Sequence, residues 1–537
     1  MAKTTLSALS GLDATFLYLE TPEQPMHVSS LCVYEVPPKL KRTFPKAVVA
    51  HLKKRLHLAP IFTNVVESAR FGLSHPSWRK VDRVDAIDFD YHVQLIELPK
   101  PGTMRQLEAA VATEHSRLLD RSRPLWQFTI FTGLSTGEVG FYAKVHHAAL
   151  DGKGGTVLAN SILDLTATPR EVPPPVDTPR PATAKPDMKI GDMIGAAFSN
   201  SLAQYVKIIR AIPSVAGKLA EVARPVVQKV VATRSAPFKF APRTPFNVNI
   251  SAKRNFVTAK LSFADVRAAA RVLGGSMNDG VLFVCSSALR TYLKALNALP
   301  KRTLVAAMPV SLREESNQQL NNQASMVLAE LGTHHGDAAK RWKAILTSTN
   351  KVKESLKSLK SVLPTDYPGL LAPMMVSRLN ALVASTKLMQ RMPAVANVVI
   401  SNVPGPQVPL YLAGAEMKTF FPVSIITHGL ALNITVQTYC GSIDFGIIAC
   451  KVAVPDLNDL GTAIEGGFDE LVALAQAKVS LDNEREAAAL AKVELAAAPA
   501  VRARKTVKTT KTTKATKATK AKPAATRPLS KRSSASR

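Results

Sequence analysis

The sequence predicts an α/β protein of two halves, each a mixed sheet with flanking helices. Three observations carry this. Segments with strand-like and helix-like apolar spacing alternate along the chain on both sides of residue 200. Residues 166–190 hold seven prolines among polar residues and divide the chain into two folded parts. At 537 residues the chain is long enough for two full cores.

The first half begins with a short helix-like start that leads into a strand, Val28 to Glu35. Thr43 to Leu56 has Ala47, Val48, Leu52 and Leu56 on one helical face. Trp78 to Val93 alternates polar and apolar residues and is expected to be strand-like, with Asp85, Asp88 and Asp90 exposed. Met104 to Leu119 is expected to be a helix, with Leu107, Val111 and Leu118 at helical spacing. His115 in that helix is expected to be structural or exposed, not a ligand. Pro124-Leu125-Trp126 leads into a strand, Gln127 to Thr132, with Trp126 as a core anchor.

The stretch His146-His147-Ala148-Ala149-Leu150-Asp151-Gly152 is the most informative in the chain. The residues before it alternate: Val139, Phe141, Ala143, Val145 and His147 fall on one strand face, and Gly140, Tyr142, Lys144 and His146 on the other. This alternation expects the two histidines to end a strand pointing opposite ways. It favours His147, on the apolar face, as the one that meets substrate. A histidine titrates near neutrality and can take a proton from a bound nucleophile. Asp151 is placed to fix the loop, directly on the ring or through a basic residue. No Gly-x-Ser-x-Gly elbow occurs, so the pattern points to general-base catalysis on an external nucleophile. Asp151 to Gly155 is expected to be a flexible turn. A short helix from Thr156 to Leu165 follows, with Val157, Leu158, Ile162 and Leu163 inward.

Residues 166–248 are expected to be a linker followed by two basic amphipathic helices. One apolar stripe runs Ile194, Phe198, Leu202, Tyr205, Val206 and Ile209; the second runs Val215, Leu219, Val222 and Val226. Two readings stand: these helices lie on a bilayer, or they cover the body of the protein as a crossover. The second half, 249–480, opens with a helix signalled by Ser262 and Asp265 and ended by Gly274-Gly275. Ser276-Met277-Asn278-Asp279 opens another, with Leu282, Cys285, Ala288, Leu289 and Tyr292 inward; Asn278 reads as its capping residue. Thr303 to Arg313, Asn397 to Val403, Val423 to Thr427, Leu432 to Tyr439 and Ile443 to Cys450 are expected strands. Asp337 to Leu356 is expected to be a basic helix, and Leu457 to Val479 a closing one. Residues 481–537 are expected to be a disordered basic tail.

The net charge is +29, of which residues 501–537 carry +13, leaving +16 on the rest. That suits an anionic membrane surface or a phosphate-bearing cosubstrate. Charge alone also allows nucleic acid, but no specific nucleic-acid partner is expected. The four cysteines, Cys32, Cys285, Cys440 and Cys450, form no C-x-x-C pair, so neither metal nor disulfide framework is indicated. No signal peptide and no transmembrane helix are expected, which places work on lipids at a membrane surface.

His-His-x-x-x-Asp-Gly resembles the active-site motif of the CoA-dependent acyltransferase superfamily. The chain further resembles bacterial wax ester synthase/diacylglycerol acyltransferases. The matching stretches run from Leu12-Asp13 through Pro25-Met26-His27-Val28, Pro124-Leu125-Trp126, Met277-Asn278-Asp279 and Pro309-Val310-Ser311-Leu312-Arg313. They continue through Ser401-Asn402-Val403-Pro404-Gly405-Pro406, Gly429-Leu430, Leu432-Asn433-Ile434-Thr435 and Val454-Pro455-Asp456. The resemblance implies two chloramphenicol-acetyltransferase-like domains with an active-site tunnel between them. It implies long-chain acyl transfer from acyl-CoA, a cosubstrate, to a fatty alcohol or diacylglycerol, with no resident cofactor and no metal. His147 would then be the general base, His146 a supporting residue and Asp151 an orienting one. Asn278 and Asp279 would belong to the active-site region, where the Asn278 amide or the helix N-terminus could stabilise an oxyanion. The implied location is cytoplasmic, on the inner face of the cell membrane or on lipid inclusions. Two rival readings are a condensation-type transferase with a carrier-bound donor and a non-catalytic lipid-surface protein.

Overall fold

A computed structural model describes residues 6–67, 75–81, 86–150, 154–174, 240–311, 324–359 and 393–497. The first half runs β1 (Leu6–Ala8), α1 (Gly11–Leu19), β2 (His27–Glu35), α2 (Phe44–Lys53), β3 (Asn64–Glu67), β4 (Ser77–Lys80), α3 (Phe89–His92) and β5 (Val93–Glu97). It continues with α4 (Met104–His115), β6 (Trp126–Thr132), β7 (Val139–His146) and α5 (Gly154–Ile162). The second half supplies β8 (Arg254–Ser262), α6 (Phe263–Val272), α7 (Met277–Ala295), β9 (Val305–Ser311), β10 (Ala324–Glu330) and α8 (Ala338–Leu359). It ends with β11 (Val398–Val403), β12 (Tyr411–Leu412), β13 (Ala415–Val423), β14 (Leu432–Tyr439), β15 (Ser442–Cys450) and α9 (Leu457–Ala497).

These build an α/β fold with two six-stranded mixed sheets and flanking helices. One sheet has the order β12-β13-β2-β7-β6-β5, the other β10-β9-β11-β14-β15-β8, and β1, β4 and β3 form a small third sheet. In the first sheet only β5 and β6 run parallel, while in the second β11 lies parallel to both β9 and β14. Strand β7 is central to the first sheet, between β2 and β6, and every side chain on it is buried.

The two halves interlock. Strands β12 and β13 come from the second half of the sequence, yet β13 pairs with β2 and completes the first sheet. The expected strand Val423–Thr427 is thereby displaced: the strand is Ala415–Val423, and it ends where the other was expected to begin. At Gly446 of β15 a Cβ would collide with the Pro422 carbonyl oxygen, so glycine lets β13 cross closely. On the other side, the Glu108 carboxylate of α4 accepts hydrogen bonds from the Thr258 backbone N–H (2.7 Å) and hydroxyl (2.6 Å) of β8. Among the described residues, those up to Leu481 belong to one compact unit and Asp482–Ala497 to a second.

Several elements differ from expectation. Trp78 to Val93 is not one strand: β4 ends at Lys80 and α3 is capped by Asp88, whose carboxylate accepts from the Asp90 and Tyr91 N–H groups. A side-chain cap stabilises a turn that alternation alone reads as extended. Gly154 and Gly155 lie in the first turn of α5, not in a flexible turn, and Val157 on that helix faces outward at 40% exposure. Leu118 lies beyond α4 and is exposed. Residues 481–497, expected to be disordered, continue α9, as suits an Ala-, Glu- and Leu-rich run. The 194–226 stripes, most of the proline-rich linker, Leu312-Arg313 and 498–537 lie outside the described residues. Among the described residues no single helix is long and apolar enough to cross a membrane.

Candidate active site

The paired histidines stand at the end of β7, but not as strict alternation expects. The strand stops at His146, and His147 opens a 3₁₀ turn, His147–Ala149. The reason is local: the His146 side chain accepts the Ala148 N–H through Nδ1 at 3.1 Å, which closes the turn. The chain is pinned there by backbone bonds from the His146 N–H to the Leu125 carbonyl (3.0 Å) and from the His147 N–H to the Met26 carbonyl (2.9 Å). His147 is thus lifted out of the sheet and set on a turn.

The two rings have different surroundings. His146 is fully buried, and its Nε2 lies 3.3 Å from the Glu20 carboxylate. Because Nδ1 accepts a hydrogen bond, the proton of the neutral ring sits on Nε2, facing Glu20. Glu20 also accepts from the Met26 N–H (3.2 Å) and from Arg121 Nε (3.1 Å) and Nη2 (2.8 Å). Burial alone would raise the Glu20 carboxyl, but the His146 ring and the Arg121 guanidinium outweigh it and hold the pKa at about 2.

His147 is only partly buried, and its ring stacks on Phe16 of α1, centroids 3.9 Å apart and 16° from parallel. Its Nδ1 is buried without a hydrogen-bond partner among the described residues. Burial lowers its pKa to about 4. At neutral pH the ring is therefore uncharged and free to accept a proton.

The face of β7 that bears Tyr142, Lys144 and His146 is buried. The Lys144 ammonium donates to the Glu114 (3.0 Å) and Arg117 (3.2 Å) carbonyls at the C-terminal end of α4, where the helix dipole favours a cation. Burial still lowers its pKa to about 8. The Tyr142 hydroxyl donates to Ser29 Oγ (3.0 Å) and lies 2.7 Å from His115 Nδ1. Of the two readings for His115, structural or exposed, the structure gives the first: it is buried, and burial holds it well below its ordinary pKa. Trp126 is a core anchor: fully buried, it donates to the Phe62 carbonyl (3.2 Å) and stacks on His92.

Asp151, with Gly152, lies outside the described residues. Asn278 is not the cap of α7; Ser276 is. The Ser276 hydroxyl caps the Asp279 N–H, and the Asp279 carboxylate returns to the Ser276 N–H (2.7 Å) and hydroxyl (2.6 Å). Asp279 is buried, with Lys353 Nζ at 3.8 Å, and Asn278 approaches the Asn402 amide of β11 (3.4 Å). Neither is hydrogen-bonded or ion-paired to the histidines among the described residues. Sequence reasoning missed Glu20 and Phe16. Both lie inside the N-terminal stretch that carries the resemblance, but their partners are remote in sequence, so only the fold reveals their role.

Comparison with known proteins completes the assignment. The wax ester synthase/diacylglycerol acyltransferase catalytic domain matches residues 9–281, and the WS/DGAT C-terminal domain matches residues 320–472. "Probable diacyglycerol O-acyltransferase tgs2" of Mycobacterium tuberculosis is 32% identical over 86% of this chain and 97% of its own length. The "O-acyltransferase WSD" of Acinetobacter baylyi is 32% identical over 85% and 95%. A solved wax ester synthase/diacylglycerol acyltransferase from Marinobacter aquaeolei VT8 superposes with a TM-score of 0.62 at 28% identity, covering 88% of this chain and all of the other. Fold and site together define an acyl-CoA-dependent O-acyltransferase with a lipid acceptor. The chain belongs to the wax ester synthase/diacylglycerol acyltransferase family.

Proposed function

We propose that His147 is the general base of a transfer of long-chain acyl groups from acyl-CoA to a fatty alcohol or diacylglycerol. One observation supports the assignment: His146 accepts the Ala148 N–H on Nδ1 and sets Nε2 3.3 Å from the Glu20 carboxylate, whereas the His147 ring, stacked on Phe16, has no polar side-chain partner among the described residues.

The ring takes the hydroxyl proton of the acceptor as the oxygen attacks the thioester carbonyl. The tetrahedral intermediate collapses with loss of the CoA thiolate, and the imidazolium returns its proton to that sulfur. Ester and free thiol are the products, and no bond forms to the protein. A pKa depressed to about 4 makes His147 a modest base but a strong conjugate acid, which favours the second proton transfer.

This reading places the reacting groups in a tunnel between two chloramphenicol-acetyltransferase-like halves, 1–165 and 249–480, with Asp151 orienting the histidine loop. Asn278 and Asp279, at the start of α7, would face the tunnel from the second half. A basic chain with a lipid product fits work at the inner membrane surface or on lipid inclusions.

The test is thiol release from palmitoyl-CoA, with hexadecanol or dipalmitoylglycerol as acceptor, for wild type and His147→Ala. Acceptor-dependent release that vanishes in the variant supports the assignment, and the better acceptor sets wax ester against triacylglycerol. Release only from a carrier-bound acyl thioester would move the donor away from CoA. Unchanged turnover in His147→Ala would remove the base from this ring.

A further inference from the structure

We infer that helix α1 is the positioning element of the transferase: Phe16 sets the plane of the His147 ring, and Glu20 holds the turn that carries it through His146. The inference rests on the reading of His147 as the base.

Three sets of contacts converge on this short helix. Phe16 lies flat against His147 at 3.9 Å, so the imidazole is not free to rotate on its turn. Glu20, the C-cap of α1, reaches His146 at 3.3 Å and the Met26 N–H at 3.2 Å. Met26 in turn takes the His147 N–H on its carbonyl. The same carboxylate thus ties down both sides of the catalytic turn.

The helix is itself anchored. Ser10 caps its start by accepting the Asp13 N–H at 3.0 Å, and Arg121 binds the Leu17 carbonyl (2.7 Å) as well as Glu20 (2.8 Å). Ala14 and Leu17 pack with Leu119, Leu125 and Ala148, the residue after the base, in one buried cluster. The Arg121 guanidinium compensates the buried carboxylate, which stays ionised. Phe16 also covers the imidazole from water, so it contributes to the burial that keeps the ring neutral.

Positioning residues are exposed by readouts that loss of folding does not move. Phe16→Ala and Phe16→Leu are assayed with palmitoyl-CoA and hexadecanol, with thermal unfolding recorded for each; Phe16→Leu preserves the measurement if the alanine variant does not fold. The expected result is a fall in kcat of at least about tenfold with KM for palmitoyl-CoA changed about twofold or less, since misplacing a reacting group by an ångström costs up to about 10²-fold. In parallel, the acid limb of the kcat/KM profile should rise toward the ordinary histidine range as water reaches the ring. Glu20→Gln and His146→Asn should each lower kcat, and the double variant should be no slower than the slower single one, because both act through one contact. Wild-type kcat in Phe16→Leu with an unmoved acid limb, or additive losses in the double variant, would overturn the inference. His147→Ala is the control: if it is inactive while Phe16 variants behave as wild type, positioning by α1 fails alone. If it is fully active, the base assignment and the inference fall together.

Discussion

Leu31 and Phe421 are register partners on adjacent strands, both buried in one apolar cluster, although they come from opposite ends of the chain. The sheet that carries the histidines is therefore closed by a strand the chain makes much later. Without β13, the edge of β2 would present unpaired backbone groups beside an uncovered apolar face.

A fragment of residues 1–248 should accordingly fail to unfold cooperatively and should aggregate, and co-expression with 249–537 should restore a soluble complex. Circular dichroism of the purified fragment checks this; a sharp thermal transition from 1–248 alone would contradict it. Gly446→Ala tests the same crossing within the intact chain. It should destabilise by roughly 1–3 kcal/mol, as overpacking does, measured as a lower urea midpoint.

Acid should affect activity and stability in separate windows. With the His147 pKa at about 4, kcat/KM should be flat through neutrality and fall only as pH approaches that value. An acid limb near 6.5 would show a hydrated ring. For stability, a histidine whose folded pKa is depressed leaves the unfolded chain binding more protons between about 4 and 6.5, so stability falls as pH drops through that range. Buried His27 and His115 act with the same sign. Glu20, held at about 2, adds stability above its ordinary value that is lost as pH falls from there toward 2. Replacing His147 by alanine should make the upper part of the loss shallower.

The capping box of α7 separates two roles for the Asn278-Asp279 pair. Asp279→Ala removes the carboxylate that binds the Ser276 N–H and hydroxyl, and should cost about 1 kcal/mol of stability. Asn278→Ala should leave the cap intact. If it lowers kcat while the unfolding midpoint is unchanged, its amide acts on the reaction; if neither moves, the residue is outside the site.

Lys144→Met should leave the Glu114 and Arg117 carbonyls without their cation. The Glu114 carbonyl keeps the Arg117 N–H (3.2 Å), so the cost falls on the Arg117 carbonyl, about 1–3 kcal/mol for a lost buried partner, partly offset because the buried charge is removed too. The chemical denaturation midpoint should therefore fall, with kcat of the folded enzyme less affected than in the Phe16 variants. A larger loss of kcat than of stability would bring Lys144 into the catalytic machinery.

What the sequence determined by itself was local or motif-bound. Period-two alternation located β7 and placed Tyr142, Lys144 and His146 on one face. Apolar spacing marked α2, α4 and α7, and Pro124-Leu125-Trp126 marked the buried Trp126. The seven residues from His146 to Gly152 pointed to the chemistry. Tertiary structure decided the rest, because those features depend on partners far apart in the chain. Alternation could not show that His147 leaves the strand, since the turn is closed by a side-chain bond from His146 to Ala148. Nor could it show that β13 joins the first sheet, because strand pairing depends on which edge is free in the folded molecule. The pairing of Glu20 with His146 and Arg121, and of Phe16 with His147, is written in no local pattern. It exists only once α1 has been laid against the end of β7.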